Sequence, residues 1–515
     1  MMNGYAPSNQ SHSYKKKVSL EDRKPSDIES ESGHADIDTR FAFPQWAAFM
    51  TVPVVRGASW RVLTRLLIFL IPSFLQGRHA REQIRPAKLA PTAYLDGMRG
   101  LAALFVYIYH YSSQAFDTGV GWGCDETNYH FLKLPFIRLF YQGAPAVSTF
   151  FVISGYALSY RPSKLIQSHS YTELLNTMSS LVFRRGIRLY LPTAISAIII
   201  ICLLRLGAYE RTREFANDRK YMKNLVVDHP PRMESAYEQW STLAWLALHV
   251  FDWDKTPGPI SYNGHLWTIP IEFRCSLFLF LTILGTARLQ TRWRFLTVTG
   301  IMWITYRNCS WELLLFFCGM LLAELDHIRN AHIPPAPSLD EKLEPSSPPS
   351  LWDRVMPWLW TVLSILGLYF MCQPDSRGEV TPGWIYLSSL IPEWWTEAQY
   401  RYWQSIGAVI FILAVGHCPG WQRFFNTVIM QYLGKISYAL YLMHGPVIHA
   451  IGFNWERWAY SLTGVEGGWY NTGFILGAVL CILTVMWWAD VFWRAVDIPT
   501  VKLAKWVEGK LIVKG

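Results

Sequence analysis

Long apolar runs separated by shorter polar segments make up most of the chain. Each run approaches the length of about 20 residues that an α-helix needs to cross the hydrocarbon core of a bilayer. Trp and Tyr crowd the ends of these runs, where amphipathic rings prefer the headgroup region. The pattern predicts an all-α polytopic membrane protein with about ten transmembrane helices. The predicted helices lie near residues 97–114, 141–160, 187–206, 266–287, 294–307, 311–327, 354–373, 402–418, 434–452 and 472–493.

Polar or mixed segments surround this transmembrane part. Residues 1–40 are too polar to form a buried core, so we expect a disordered N-terminal tail. Residues 41–90 mix apolar runs with arginines, which predicts an amphipathic segment lying at the membrane interface. Residues 91–493 form the predicted transmembrane domain, which contains a flexible Pro/Ser-rich linker at 328–353. Residues 494–515 are expected to be a cytoplasmic C-terminal tail.

The overall composition agrees with a membrane protein. Of the 515 residues, 51% are hydrophobic and only 17% are charged, which is too apolar for a soluble protein of several domains. The formal net charge is +9, but the basic residues cluster at the ends of apolar runs. The positive-inside rule explains this clustering, so no nucleic acid is predicted as a partner. The eight cysteines show no CxxC spacing, and no metal site is predicted from them.

Charge bias in the loops predicts how the chain is oriented. Basic clusters follow the second predicted helix (161–188), the fourth (288–294) and the tenth (502–514). With an even number of spans, all three clusters lie on the cytoplasmic side if both termini do. Two long loops, 207–265 and 374–401, then lie on the outer side. We therefore expect a multi-pass protein of the plasma membrane or an endomembrane.

The first predicted helix carries an arginine near its start and a histidine near its end. Arg99 and His110 are eleven residues apart, which at about 100° per residue places them on one face. Their separation along the helix axis is about 16 Å, close to half the thickness of the hydrocarbon core. An ionisable group at that depth is costly, and histidine suits proton transfer near neutral pH. Alternatively, Arg99 snorkels to the interface and His110 only bonds a neighbouring helix.

Five sequence blocks carry a family resemblance. They are LDGMRGLAALFVYIYH (95–110), FFVISGYALS (150–159), RRGIRLYLP (184–192), HLWTIPIEFRCSLFLF (265–280) and ISYALYLMHGPVI (436–448). In this order they resemble the blocks of the acyltransferase-3 family of integral membrane O-acyltransferases, in particular its fungal-type members. The first block includes that family's spacing of Arg or Lys, ten residues, then His. The resemblance covers about residues 92–490.

The resemblance implies transfer of an acyl group, typically acetyl, from a coenzyme A thioester to a hydroxyl acceptor, with no bound cofactor. This chemistry needs a base for the hydroxyl, and His110 is the predicted base. Asp96 lies one turn from Arg99 and is expected to present it to an anionic ligand, although a simple helix-end ion pair fits equally. Arg185 and Arg188 are expected to bind the donor's phosphates, with positive-inside anchoring as the alternative.

Glu272 is a carboxylate about two turns into the fourth predicted helix. At that depth it needs a partner, and the candidates are Arg274, His110 or a bound hydroxyl. We expect Glu272 to act at the site either by binding the acceptor or by making His110 a stronger base through its negative charge. Trp267 either lines the acceptor cavity or anchors the helix at the interface.

Three further residues are supporting candidates. Ser154 in the second predicted helix is expected to permit close helix packing, with a role as oxyanion donor or acyl carrier as the alternative. Tyr441 and His444 in the ninth predicted helix form either a second proton-handling pair or ordinary hydrogen bonds between helices.

A proton-coupled transporter is the competing class of function, because buried His, Glu and Arg also build proton pathways. The sequence shows no inverted repeat and no pair of broken helices, which favours the enzyme. The acceptor class stays open among a small molecule, a glycan and a lipid, since each needs only a shaped pocket.

Overall fold

A computed structural model describes residues 64, 66–76, 89–224, 229–249, 262–329, 351–396 and 398–512. All regular structure within these ranges is helical, and no strand occurs in them. The predicted N-terminal tail, most of the predicted interfacial segment and most of the Pro/Ser-rich linker lie outside the described residues.

The helices are numbered in chain order from residue 93. They are α1 (Ala93–Ser112), α2 (Gly143–Gln167), α3 (Tyr171–Arg205), α4 (Glu210–Asn217), α5 (Ala236–His249), α6 (Thr268–Thr286), α7 (Thr291–Arg307), α8 (Trp311–Ile328), α9 (Leu351–Met371), α10 (Ile385–Ser389), α11 (Arg401–His417), α12 (Pro419–Phe425), α13 (Val428–Val447), α14 (Phe453–Thr463), α15 (Gly468–Phe492) and α16 (Ile498–Leu511). A 3₁₀ turn, Gly264–Trp267, leads into α6, and π-helical turns Ile448–Gly452 and Trp493–Asp497 follow α13 and α15.

Each of the ten predicted apolar runs coincides with a long helix, which confirms the all-α prediction. Within the described ranges, four helices are long and apolar enough by themselves to cross a membrane, and α11 with α12, bent by 99°, makes a fifth if counted as one span. The four are Tyr171–Arg205, Gly264–Thr286, Arg354–Met371 and Gly468–Leu511. The full set of ten spans therefore stays a prediction.

Helices α1 and α13 lie side by side and run in the same direction. A Cβ at Gly97 would overlap the carbonyl oxygen of Phe425, the last residue of α12, and one at Gly100 would overlap the backbone nitrogen of Gly434 in α13. A Cβ at Gly434 would lie 2.5 Å from the carbonyl oxygen of Asp96. The two backbones are thus in direct contact, which only glycine permits at these positions. This contact fixes which side chains of α1 and α13 face each other further along.

A second pair of glycines joins α2 to α8. A Cβ at Gly155 would overlap the carbonyl oxygen of Phe316, and one at Gly319 would overlap the carbonyl oxygen of Val152. The helix that carries Ser154 thus packs closely against α8 through the adjacent Gly155.

The loops at one end of the bundle contact one another. Asn224 donates a hydrogen bond of 2.8 Å to the carbonyl of Ser113, and Arg377 forms an ion pair of 2.6 Å with Asp125. Hydrogen bonds from Thr127, together with the Arg377 guanidinium, hold the pKa of Asp125 below its usual range. The loop after α1 thus connects the two long loops that were predicted to share the outer side.

The C-terminal segment packs at the opposite end. Helix α16 lies against α3, where Arg184 forms an ion pair of 3.2 Å with Glu508. Residues 494–515, predicted as a tail, therefore contain a packed helix. Helix α3, against which α16 packs, is far away in the sequence, so local sequence patterns do not predict the contact.

A buried ion pair links α7 to α8. The Arg294 and Glu324 side chains are only 3% and 1% exposed, and Arg294 Nε donates to Glu324 Oε1 at 2.7 Å. Arg294 Nη1 also donates to the carbonyl of Leu289 at 3.0 Å. Removal of the arginine would leave a buried carboxylate without its counter-charge.

We expect Arg294→Met to lower the free energy of unfolding by about 3–5 kcal/mol, because Glu324 is left buried and unpaired. The double variant Arg294→Met/Glu324→Leu should recover most of that loss. Arg292→Met, at an exposed position of the same helix, is the matched control. Denaturant unfolding in detergent micelles measures all three, and equal losses in the single and double variants would contradict the assignment.

Candidate active site

Arg99 and His110 lie on one face of α1, as predicted, and both face α13. Arg99 Nε donates to Ser437 Oγ at 3.2 Å, while the His110 ring stacks on the His444 ring with centroids 5.4 Å apart. Because α1 and α13 are parallel, the Arg99–Ser437 and His110–His444 contacts follow one another along the same helix interface.

A third histidine joins this pair from the 3₁₀ turn before α6. The His265 ring centroid lies 3.7 Å from that of His110 and 4.7 Å from that of His444. Gly445 permits the approach, since a Cβ there would lie 3.0 Å from Asn263 Oδ1 and 3.1 Å from His265 Cδ2. His110, His265 and His444 are called the histidine cluster below.

The histidine cluster presents nitrogen atoms to a common space. One ring nitrogen from each residue lies within 4.8 Å of the others. The His444 side chain is fully buried, and its Nδ1–H donates to the Leu440 carbonyl at 3.1 Å. His444 Nε2 has no partner among the described residues. Such a group can take a proton from a hydroxyl or bind a metal ion through three imidazoles.

Tyr441 contacts the turn that carries His265, and Trp267 is the last residue of that turn. The Tyr441 hydroxyl lies 2.6 Å from Thr268 Oγ1 and makes a short hydrogen bond to the His265 carbonyl. Tyr441 is thus hydrogen-bonded to the turn, and its ring centroid lies 5.9 Å from that of His444. The Trp267 ring faces the buried Arg401, whose guanidinium carbon lies 5.7 Å from the ring centroid.

Glu272 occupies the junction of α2, α3 and α6. Its carboxylate pairs with Arg185 at 2.6 Å and accepts a hydrogen bond of 3.1 Å from Ser154 Oγ. Arg185 Nε also donates to Ser276 Oγ at 3.1 Å. The predicted residues Ser154, Arg185 and Glu272 therefore form one hydrogen-bonded group.

The prediction that Arg274 could be the partner of Glu272 is wrong. It pairs instead with Glu312 at 3.6 Å. Residues two apart on a helix point about 200° away from each other, so Glu272 and Arg274 face different neighbours. The arginine that neutralises Glu272 comes from α3, and the contacts of Glu272 within the described residues are with Arg185 and Ser154.

Arginines gather at the other end of the α1–α13 interface. Arg99 pairs with Asp96 at 3.0 Å, which confirms that predicted pair. Arg188 lies within electrostatic range of Arg99, Arg185 and Asp497. Asp497 is likewise within range of Arg99. Arg99, Arg185 and Arg188, together with Asp497, are called the basic cluster below.

Helix α13 connects the two clusters. Ser437, Tyr441 and His444 follow a spacing of four and then three residues, so they lie on one face. Ser437 contacts Arg99, Tyr441 contacts Thr268 and His444 belongs to the histidine cluster. The rise from Ser437 to His444 is about 10 Å. The basic and histidine clusters thus lie at two levels along one polar face of α13.

Two residues of these clusters, His265 and Asp497, and the neighbouring Asn263 are not predicted from the sequence. His265 and Asn263 precede an apolar run, where polar residues are typical of an ordinary loop. The signal that points to them is their position next to the HLW block. Asp497 lies in a segment predicted as a tail, and its only sign is an acid among basic residues.

Comparison with known proteins places these features in a family. The acyltransferase-3 family, described as an acyltransferase domain, matches residues 92–494. The chain is 32% identical to O-acetyltransferase PaAT-1 of Phomopsis amygdali over 466 residues, covering 86% of this chain and 88% of that protein. It is 26% identical to acyltransferase R4 of a Phoma species (81% and 96% covered) and 26% identical to acyltransferase clz18 of Cochliobolus lunatus (80% and 94%). No solved structure matches it significantly.

The family match begins just before α1 and ends within the π-helical turn after α15. It therefore contains the whole histidine cluster and the three arginines of the basic cluster. A match over most of the chain, together with a relative more than 30% identical along most of its length, shows that this protein belongs to the acyltransferase-3 family of acyltransferases.

Proposed function

We propose that the protein is a multi-pass membrane O-acyltransferase. It transfers an acyl group, first of all acetyl, from a coenzyme A thioester to a hydroxyl of a small-molecule, glycan or lipid acceptor. The observation that carries this proposal is the pairing of a histidine cluster with a basic cluster along one face of α13. Similarity to an O-acetyltransferase supports acyl transfer over the competing proton-coupled transporter.

His110 is the general base in this proposal. It takes the proton of the acceptor hydroxyl as the oxygen attacks the thioester carbonyl carbon. The tetrahedral intermediate then collapses, the carbon–sulfur bond breaks, and His110 returns the proton to the coenzyme A thiolate. The products are an ester and a free thiol, and no covalent enzyme intermediate is required.

Asn263 is suited to stabilise the oxyanion of that intermediate. Its side chain is only 7% exposed, and its Nδ2 has no partner among the described residues. It lies beside Gly445 and two residues before His265, so a donor group is available next to the histidine cluster. A preorganised amide donor in a site shielded from water typically contributes about 2.7–4 kcal/mol to catalysis.

The basic cluster is suited to bind the charged part of the donor. Arg99 and Arg188 can each offer a planar fork of N–H donors to phosphate oxygens. Arg185 pairs with Glu272 of a different helix, so we assign that pair to holding α3 against α6, whereas the Arg99–Asp96 pair lies within α1 and joins no two helices. The rise of about 16 Å between Arg99 and His110 then lets one extended donor reach both clusters.

The same proposal includes about ten spans, with both termini and the basic cluster on the cytoplasmic side. We expect cysteines introduced at Glu126 and Tyr237, in a background without native cysteines, to react with an impermeant maleimide only from the extracytoplasmic side of the membrane. Cysteines at His169 and Arg292 should react only from the cytoplasmic side. All four positions are exposed in the structure. Labelling of position 237 from the cytoplasmic side alone would refute this orientation.

We expect His110→Ala to lower acyl transfer by about 10²–10⁴-fold, because general base catalysis is lost. The measurement is transfer of a labelled acetyl group by purified protein, alongside binding of coenzyme A. Donor binding should persist, since the basic cluster is unchanged. His327→Ala, which removes a histidine bonded to the Tyr160 carbonyl at 2.7 Å, is the matched control. Transfer at the wild-type rate by His110→Ala would disprove its role as base.

Substitutions in the basic cluster should act on the donor. We expect Arg188→Ala and Arg99→Ala to raise KM for the acyl donor by about tenfold or more, through loss of charge-assisted hydrogen bonds. Arg99→Lys should keep part of the activity, because the charge remains while the planar fork is lost. KM for the acceptor should change little. Unchanged donor KM in both alanine variants would assign these arginines to membrane anchoring.

A further inference from the structure

We propose that the histidine cluster binds one divalent transition-metal ion of the zinc class, and that this ion inhibits acyl transfer. Metal binding is inferred from the geometry of the three imidazoles alone. Only the inhibition rests on the proposed function, because it follows from the role of His110 as base.

The three ligands come from separate parts of the fold and converge on one space. His110 projects from α1, His444 from α13, and His265 from the turn before α6. Their available ring nitrogens lie within 4.8 Å of one another. Three imidazoles with an open fourth position match the ligand set of a zinc site that retains a water molecule.

One ligand atom is already oriented for an ion. His444 Nδ1–H is held by the Leu440 carbonyl, which leaves Nε2 as the nitrogen that carries a lone pair. His444 is fully buried, and Nε2 has no partner among the described residues. Metal-binding histidines commonly donate their other nitrogen to a backbone carbonyl in this way, which fixes the tautomer and the ring.

Backbone contacts also hold the His265 ligand in place. The Tyr441 hydroxyl bonds the His265 carbonyl, and Gly445 leaves room for the turn to approach α13. A larger residue at Gly445 would have to move Asn263 or His265 by a few tenths of an ångström. The separation of the ligands therefore depends on this glycine.

The donor set selects the class of ion. Imidazole nitrogen suits zinc, cobalt, nickel and copper, whereas magnesium and calcium prefer oxygen ligands. The cluster contains no carboxylate, and the nearby carboxylate Glu272 is already paired with Arg185. A bound ion would occupy the lone pair that His110 needs to accept a proton, so transfer should stop.

A second histidine pair provides an internal control. His229 and His449 approach each other at 3.2 Å between their Nδ1 atoms, and His229 Nε2 lies 3.1 Å from Thr212 Oγ1. Both ring nitrogens of His229 are thus engaged with protein atoms, and the pair offers only two imidazoles. Loss of His229 should leave zinc binding at the histidine cluster intact.

The test uses the full-length protein, purified in detergent and stripped with a chelator. Zinc binding is measured by equilibrium dialysis and elemental analysis, and cobalt absorption reports the coordination geometry. We expect one zinc ion per chain and inhibition of acetyl transfer as zinc is added. Loss of a direct ligand in His265→Ala or His444→Ala should weaken zinc binding by at least about 100-fold, beyond the usual effect of outer-shell changes. Gly445→Ala should weaken it less, and His229→Ala should bind as the wild type does.

Several outcomes would overturn the proposal. These are no stoichiometric zinc in the wild-type protein, zinc that His444→Ala retains, or zinc that His229→Ala loses. Gel filtration and coenzyme A binding by each variant show that it is folded. If the chelator abolishes transfer and zinc restores it, the protein has a metal site, but zinc is not an inhibitor and His110 is not the general base. If zinc does not bind but the stripped protein transfers acetyl, the metal proposal is wrong and the proposed acyltransferase function is retained.

Discussion

The backbone contact between α1 and α13 is the constraint on which the rest of the site depends. Gly100 and Gly434 allow the two helices to touch in their N-terminal halves, and Gly97 allows α1 to approach the end of α12. Since both run in the same direction, this one register brings Arg99 to Ser437 and His110 to His444. A side chain at Gly100 or Gly434 would separate the helices, and both clusters would lose their alignment together.

Around this contact, the charged groups inside the bundle are neutralised by partners from other helices. Glu272 pairs with Arg185 across α3 and α6, and Arg294 with Glu324 across α7 and α8. Each ion pair neutralises a buried charge, whose burial in apolar surroundings would otherwise be costly. The same polar side chains lower the mean hydropathy of helices that are otherwise apolar.

The chemistry proposed for the site requires both the basic cluster and the histidine cluster, which lie at two levels along one polar face of α13. Arginine at one level attracts phosphate, and imidazole at the other level has the lone pairs that a hydroxyl proton or a metal ion requires. His265 enters from a short 3₁₀ turn rather than a long helix, and Tyr441 and Gly445 fix its position. Two functional levels about 10 Å apart on α13 suit an extended substrate better than a compact one.

The sequence by itself determined the helical runs, the shared face of Arg99 and His110, and the pair of Asp96 with Arg99, because these depend on periodicity within one helix. The family resemblance added the role of His110 as base and the roles of Arg185 and Arg188 as donor-binding residues. Only the tertiary structure decided that Glu272 meets Arg185 instead of Arg274, that His265 joins the histidine cluster, and that Asp497 joins the basic cluster. These are contacts between residues far apart in the chain, and they depend on how helices pack, which local spacing does not encode.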